Sequence, residues 1–370
     1  MKLKEFEVER YFSKYEFTAT YSLSSSDCDG YSINYVLGLA SECELRRWQN
    51  LTLGYTETMG SEMLRQSIKK HYENIEIDEI LVATPGELSF IAMNVLLDKG
   101  DNVICLSPTY QSLYQIAKEL GCSLTFWEPE INDNCWYYNP LQLEKLIQAN
   151  TKLIVINFPH NPTGFSPNLA EYNDIINIAE KNGIAIYSDE MYRFLHHSKS
   201  DQLPAACDIY DNAISLWGTS KTFGLAGLRL GWLTSKNKKL LNKMLVFKDY
   251  LSLCNGATNE LLATIALNNL DCFLQPNLEK IKYNLAVFET FHQRNSGFFE
   301  YYKPNSGTTA FIKLNIKETS MEFTERLVNN TGIMMLPSET FEYETRFARI
   351  GFGRKNMPET LGILEQYISR

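Results

Sequence analysis

Residues 217–232 have the sequence WGTSKTFGLAGLRLGW, in which Lys221 and Arg229 stand among small residues. A lysine that forms an imine with an aldehyde needs an open path to it, and the flanking glycines and serine leave room for a flat cofactor. Arg229 can return to the same place once the chain has turned, and its planar guanidinium suits a phosphate. The spacing indicates a site for pyridoxal 5'-phosphate (PLP), although a lone lysine in such a loop is more often solvated.

Composition allows an enzyme of this kind without identifying it. The 370 residues suffice for two domains, and a net charge of −9 argues against a nucleic-acid surface. The N-terminal residues mix charged and apolar side chains, and no apolar run approaches the ~18 residues of a membrane span, so we expect a cytoplasmic protein. The eight cysteines show neither C-x-x-C pairs nor metal-ligand spacing with histidine, which favours reduced thiols and no metal site.

Short apolar runs alternate with helical patterns from about residue 80 to residue 250. The runs are typical of buried, mainly parallel strands and lie at 103–106, 123–126, 152–157, 184–188, 213–217 and 228–233. Helical spacing of apolar residues occurs at 88–97, 110–120 and 169–181, with Gly100, Gly121 and Gly183 placed to end helices. This alternation predicts a doubly wound α/β domain.

The order of elements changes after about residue 276. A long helix is predicted there, followed by a strand at 309–314, a helix at 321–329, strands near 333–336 and 347–351, and a terminal helix. We therefore predict a large cofactor-binding domain over 51–275 and a smaller α/β domain over 276–370, with residues 1–50 packing against the small domain.

Polar residues follow two of the predicted strands at their carboxyl ends, where an open α/β sheet places its ligand crevice. Asn161 follows the strand that ends at Asn157, and Asp189 ends the next strand, with Tyr192 three residues later. Taken alone, Asn161 fits a simple Asx turn and Asp189 fits either a helix N-cap or a partner for a buried cation. Only their combination with Lys221 favours a cofactor site.

Motifs along most of the chain resemble the fold-type I, PLP-dependent aspartate aminotransferase superfamily of class I and II aminotransferases. They stand in that family's order: Gly54-Tyr55-Thr56 with residues 60–65, Thr84-Pro85-Gly86-Glu87-Leu88, Ser107-Pro108-Thr109-Tyr110, Asn161-Pro162-Thr163-Gly164, Ser188-Asp189-Glu190-Met191-Tyr192, the lysine motif and Arg349-Ile350-Gly351-Phe352. The resemblance implies the fold-type I architecture, with a large, mainly parallel sheet domain and a smaller α/β domain.

The resemblance also implies roles for individual residues. Lys221 would hold PLP as an internal aldimine and then shuttle the proton at the substrate Cα. Asp189 would pair with the pyridine nitrogen and keep it protonated. Asn161 and Tyr192 would bind the phenolic oxygen, and Tyr110 would stack on the ring unless it is a surface aromatic that begins a helix.

The phosphate would lie at the N-terminus of a helix predicted to begin near Leu88, beside Gly86, Glu87, Ser220 and Arg229. Two positions depart from the family pattern. Glu87 puts a carboxylate next to the phosphate, and Gly218 stands where many members have a hydroxyl. Thr219, Ser220 or a partner subunit's Tyr55 would replace that hydroxyl, and a contribution from Tyr55 implies a homodimer with shared active sites.

Arg349 matches the arginine that grips the substrate α-carboxylate, with a solvent-facing strand residue as the alternative. The segment 24–31 corresponds to a stretch that lies across the substrate mouth in relatives, and it contains Asp27 and Asp29. Two carboxylates there would favour a basic, arginine-like donor over an acidic one, unless both are solvated turn residues beside Gly30.

The resemblance therefore implies amino transfer between an amino acid and a 2-oxo acid. A second PLP reaction, elimination or cyclisation, stays open because the segments 24–27, 157–161, 249–253 and 307–311 are similar to capreomycidine synthases, which cyclise a hydroxylated arginine. A sensor fused to a DNA-binding domain is excluded, since the PLP fold would consume nearly every residue.

Overall fold

The computed structural model describes residues 3–369. Its strands, numbered in chain order, are β1 Tyr21–Ser22, β2 Ile80–Ala83, β3 Asn102–Leu106, β4 Ser123–Trp127, β5 Glu130–Asn132, β6 Cys135–Tyr137, β7 Thr151–Asn157, β8 Ala185–Asp189, β9 Ala213–Gly218, β10 Gly231–Thr234, β11 Phe299–Glu300, β12 Thr309–Leu314, β13 Ile333–Met334, β14 Leu336–Pro337 and β15 Phe347–Gly351. Its α-helices are α1 Glu7–Tyr15, α2 Ile33–Gly38, α3 Glu42–Gln49, α4 Glu62–Lys69, α5 Pro85–Leu96, α6 Gln115–Glu119, α7 Pro140–Leu146, α8 Leu169–Lys181, α9 Ala206–Ile209, α10 Lys238–Asp249, α11 Ala257–Asn268, α12 Leu270–Arg294, α13 Ser320–Thr331 and α14 Met357–Ile368.

Within residues 3–369, seven strands form the central sheet in the order β2-β10-β9-β8-β7-β3-β4. All neighbouring strands are parallel except β10, which runs antiparallel to β9 and β2. The inner strands β3 and β9 are buried along their whole length, which explains why their sequences are apolar without alternation. This sheet confirms the predicted α/β class, and it brings the carboxyl ends of β7, β8 and β9 to one edge.

A smaller antiparallel sheet has the order β11-β12-β15-β14 and is accompanied by α12, α13 and α14. The N-terminal segment crosses it: the Gly351 N–H at the end of β15 donates to Leu23 O at 2.7 Å, and the Asp29 N–H donates to Gly353 O at 3.1 Å. A Cβ on Gly351 would lie 1.8 Å from Ser25 O, so only glycine permits this close approach. Residues 23–29 are thereby held at the edge where the two sheets face each other.

The predicted strands at 309–314 and 347–351 and the helix at 169–181 coincide with β12, β15 and α8. The strand predicted at 228–233 is present only from Gly231, where β10 begins, because the preceding residues form a 3-10 turn and Arg229 adopts a left-handed conformation with φ 49°. The helix predicted at 110–120 is present only in part, since this segment divides into a 3-10 turn and the short α6. The spacing of apolar residues in the sequence does not reveal such local turns.

Helix α12 begins earlier than predicted and continues through the proposed domain boundary between residues 275 and 276, with Pro276 inside it. Of the helices in the described part of the chain, none has both the length and the apolar character that a membrane crossing requires.

Candidate active site

A cavity of about 390 Å³ lies at the carboxyl ends of the central strands, between them, the small sheet and the N-terminal segment. Most of the residues predicted for the site line it, namely Asp27, Gly86, Tyr110, Asn161, Asp189, Tyr192, Ser220, Lys221, Arg229 and Arg349. Three do not: Glu87, Leu88 and Tyr55. The cavity is also lined by residues of α1 that were not predicted for the site.

Lys221 follows β9 and is only partly exposed, with its stem in the cavity wall. Its Nζ donates to Ser26 Oγ at 2.8 Å. The Ser26 carbonyl accepts from Thr308 Oγ1 at 2.8 Å, which attaches this contact to the small sheet. A lysine from one sheet is thus held against a loop that is fastened to the other.

Asp189 ends β8 opposite the lysine. Its Oδ1 accepts the Met191 N–H at 3.0 Å. Burial raises the pKa of Asp189 to about 6, although the Met191 N–H and the Lys221 ammonium act in the opposite direction. A cationic partner beside this buried carboxylate would stabilise its charged form.

Asn157, at the end of β7, joins the two polar motifs. Its Nδ2 donates to the Asp189 backbone carbonyl at 2.8 Å, and its Oδ1 accepts the Asn161 N–H at 2.9 Å. This side chain therefore fixes the spacing between Asp189 and Asn161, a role that its place at the end of a predicted strand did not reveal.

Arg349 lies on β15 and is 1 % exposed, so it is not the solvent-facing strand residue of the alternative interpretation. Its guanidinium donates to Asn161 Oδ1 at 3.0 Å and to Ser24 O at 2.8 Å. Burial lowers the pKa of Arg349, and no carboxylate is hydrogen-bonded to it within residues 3–369. A buried cation that lacks an anion at the wall of a cavity favours the binding of a carboxylate there.

Tyr192 and Tyr110 face the same space. Tyr192 is 3 % exposed, and its hydroxyl has no hydrogen-bond partner among the described residues. Tyr110 is fixed by a hydrogen bond from its hydroxyl to Glu9 Oε1 at 2.5 Å and by contact with Phe6, the ring centroids being 4.8 Å apart. A buried hydroxyl without a partner is costly, so Tyr192 points to a polar group that belongs in the cavity.

Helix α5 starts at Pro85, three residues before the predicted start. The Leu88 N–H donates to Thr84 O at 3.0 Å, and the Leu88 side chain is fully buried, so Gly86 and Glu87 carry the free N–H groups at this helix terminus. Thr84 Oγ1 donates to Arg229 O at 3.1 Å, which brings the arginine to the same terminus. Free N–H groups beside a guanidinium suit a phosphate.

The two departures from the family pattern have structural explanations. The Glu87 carboxylate accepts hydrogen bonds from the Ser252 hydroxyl at 2.7 Å and from the Ser252 N–H at 3.2 Å. Glu87 therefore points towards Ser252 and does not line the cavity. Gly218 pairs with Gly231 across β9 and β10, and a Cβ at Gly218 would lie 2.9 Å from the Gly231 Cα. A side chain with a hydroxyl therefore does not fit at position 218.

The two aspartates of the N-terminal segment are both ion-paired. Asp27 lines the cavity and pairs with Arg354 at 2.9 Å. Asp29 pairs with Lys280 at 2.9 Å and lies outside the cavity lining. Neither is a simple solvated turn residue, but each charge is compensated within the chain, so neither aspartate presents an unpaired negative charge to a substrate.

These residues fit PLP. The terminus of α5 with Arg229 could hold its phosphate, Asp189 its pyridine nitrogen, Tyr192 and Asn161 its phenolic oxygen, and Lys221 its aldehyde. The buried Tyr192 hydroxyl without a partner and the raised pKa of Asp189 are the two features that such a group would relieve.

Comparison with known proteins agrees with this geometry. Residues 22–361 match the family described as aminotransferase class I and II. The chain is 28 % identical to an aspartate aminotransferase of Sulfurisphaera tokodaii over 326 residues, which are 82 % of this chain and 78 % of that protein. It is 26 % identical to the capreomycidine synthase of Streptomyces vinaceus over 347 residues, which are 93 % and 87 % of the two chains. A crystal structure of a PLP-dependent aminotransferase from Streptococcus suis superimposes with a TM-score of 0.92 at 28 % identity, covering 100 % of this chain and 99 % of the other.

Proposed function

The chain belongs to the aminotransferase class I and II family, and we propose that the cavity residues described above carry out the amino transfer of that family. The protein is a PLP-dependent aminotransferase that acts on an amino acid and a 2-oxo acid. The observation that carries the assignment of residues is the convergence of Lys221, Asp189, Asn161 and Arg349 from separate strands and loops on one cavity.

PLP, when bound, supplies an electron sink for the negative charge that develops at the substrate Cα. Lys221 Nζ removes the proton from that Cα and later returns a proton. Asp189 holds the pyridine nitrogen in its protonated form. Arg349 grips the α-carboxylate and, through its hydrogen bond to Asn161, keeps the substrate end and the cofactor end of the site in register.

We further propose a cytoplasmic homodimer whose active sites share Tyr55. This tyrosine is 90 % exposed and lies outside its own cavity. Leu53, two residues before it, and Tyr250, which follows α10, are also large exposed side chains. Large exposed side chains of this kind support contact with a second subunit.

The domain limits 51–275 and 276–370, with residues 1–50 packing against the small domain, also stay a proposal.

The experiment is a half-reaction on the purified, PLP-loaded protein with single amino acids and no 2-oxo acid. Amino transfer yields pyridoxamine phosphate and the matching 2-oxo acid in equal amounts, and a 2-oxo acid added later restores PLP. Loss of the amino acid without pyridoxamine phosphate would instead assign the protein to elimination or cyclisation, the reaction class of its relative capreomycidine synthase.

A further inference from the structure

One wall of the cavity is a face of helix α1. Glu9, Phe12 and Glu16 line the cavity. Their spacing of three and four residues places them on one side of a helix, with Glu16 as its C-terminal cap residue. Phe12 packs near the buried arginine of the substrate site, its ring centroid 5.8 Å from the Arg349 guanidinium carbon. The two glutamates therefore flank the place where a substrate extends away from Arg349.

Of the charged residues that line the cavity, these two glutamates and Asp27 are the ones to which neither the cofactor nor the substrate α-carboxylate has been assigned. Arg349 is assigned to the α-carboxylate of the substrate, Arg229 to phosphate and Asp189 to the pyridine nitrogen. Asp27 is paired with Arg354. Glu9 accepts a hydrogen bond from the neutral Tyr110 hydroxyl, and within residues 3–369 neither Glu9 nor Glu16 forms an ion pair inside the cavity.

The carboxylates are close enough to affect one another. Partial burial raises the pKa of Glu16, and the Asp27 and Glu9 carboxylates raise it further, while Arg354 and Lys221 act in the opposite direction. A cation placed between the glutamates would relieve this repulsion. The Tyr192 hydroxyl, which is buried, faces the same cavity and has no partner among the described residues, supports a bound group at the inner end, where PLP is assigned, so a substrate attached there would extend towards α1.

We propose that the amino acid substrate carries a cationic side chain, a guanidinium or an ammonium group, which Glu16 and Glu9 bind. The inference rests on the proposed function, since it takes the position of the α-carboxylate from Arg349. An acidic side chain is disfavoured because the arginines lining the described cavity, Arg229 and Arg349, are both assigned. A guanidinium offers donors to both carboxylates in one plane, whereas an ammonium is a compact point charge.

The test compares kcat/KM for arginine, lysine, methionine and glutamate in the wild-type holoenzyme and in the variants Glu16→Gln and Glu9→Gln. Glu7→Gln is the control, because Glu7 is on the same helix but outside the cavity and pairs with Lys4. We expect a cationic donor to lead in the wild type. Each cavity variant should lower its kcat/KM about fivefold to tenfold, and Glu16→Gln, which leaves the hydrogen bond between Glu9 and Tyr110 in place, should spare methionine and improve glutamate.

A larger value for arginine than for lysine, or the reverse, identifies which cation is preferred. A wild-type preference for glutamate or methionine, or an unchanged ranking in both cavity variants, would overturn the proposal. Failure of the proposed function looks different, because then no amino acid of the panel converts the bound PLP into pyridoxamine phosphate.

Discussion

The inner end and the mouth of the cavity are built in different ways. At the inner end, Asp189 terminates a buried strand, Asn161 and Lys221 follow two others, and Arg349 lies in the small sheet. At the mouth, α1 and the loop 23–29 supply the wall, and this loop is attached to the small domain by hydrogen bonds to β15, Thr308 and Gly353 and by the ion pairs of Asp27 and Asp29. The sheets thus fix the groups that we propose perform the chemistry, while an N-terminal layer carries the groups that we propose meet the substrate side chain.

The largest effect should come from the inner end, in Asp189→Ala. Turnover should fall by about 10²–10³-fold, the scale of a lost charged group in a water-excluded site, because the pyridine nitrogen loses the carboxylate that keeps it protonated. PLP content, measured by absorbance, should persist through the remaining contacts. Asp211→Ala, whose side chain is 84 % exposed, is the control. Near wild-type turnover of a PLP-loaded Asp189→Ala protein would remove Asp189 from the mechanism.

A smaller loss is expected where the two regions meet, at Arg349. Its guanidinium contacts Asn161 at the inner end and the Ser24 carbonyl at the mouth. Arg349→Lys keeps the charge but loses the planar fork, so kcat/KM should drop about 10- to 100-fold for every donor alike. Arg346→Ala, an exposed neighbour on the chain, should have little effect. If the loss in kcat/KM differed between donors with different side chains, Arg349 would contact the substrate side chain at the mouth and not the α-carboxylate.

The third prediction concerns stability and is the smallest. In the cofactor-free protein, folding raises the pKa of Asp189 from 3.8 to about 6. The unfolded chain therefore releases this proton first, and the carboxyl group costs stability as pH rises from about 4 to 6. Asp189→Asn should leave stability unchanged below pH 4 and raise it by about 1–2 kcal/mol above pH 6, a discounted value since the group is partly exposed. Urea unfolding at both pH values checks this, and an equal effect at both would contradict the stated cause.

The contrast between the two regions also explains what could be predicted from sequence. The strands β12 and β15 and the order of polar residues after β7 and β8 follow from apolar runs and turn motifs, so Asn161, Asp189 and Lys221 could be chosen from the sequence. Glu9 and Glu16 could not, because α1 reaches the cavity only through tertiary packing. A helical repeat of acidic residues around Phe12 was the only signal, and surface helices show the same pattern.

The expectation that Asp29 attracts a cationic substrate also failed to take tertiary packing into account. Its charge was visible in the sequence, but its partner Lys280 lies on α12, far along the chain. Only the packing of the N-terminal loop on the small domain brings them together. Charges can be counted from a sequence, whereas their compensation is a property of the fold.

Lys221 lies at the junction of the two regions, where its Nζ reaches Ser26, and it is the residue that we propose holds PLP. Borohydride reduction of the purified, PLP-loaded protein, followed by peptide mass spectrometry, tests this proposal most directly. Lys239→Ala, which replaces an exposed lysine, serves as the matched control. We predict one phosphopyridoxyl adduct, on Lys221, in the wild type and in the control. An adduct on any other lysine, or a PLP-loaded wild-type protein without a covalent adduct, would contradict the account.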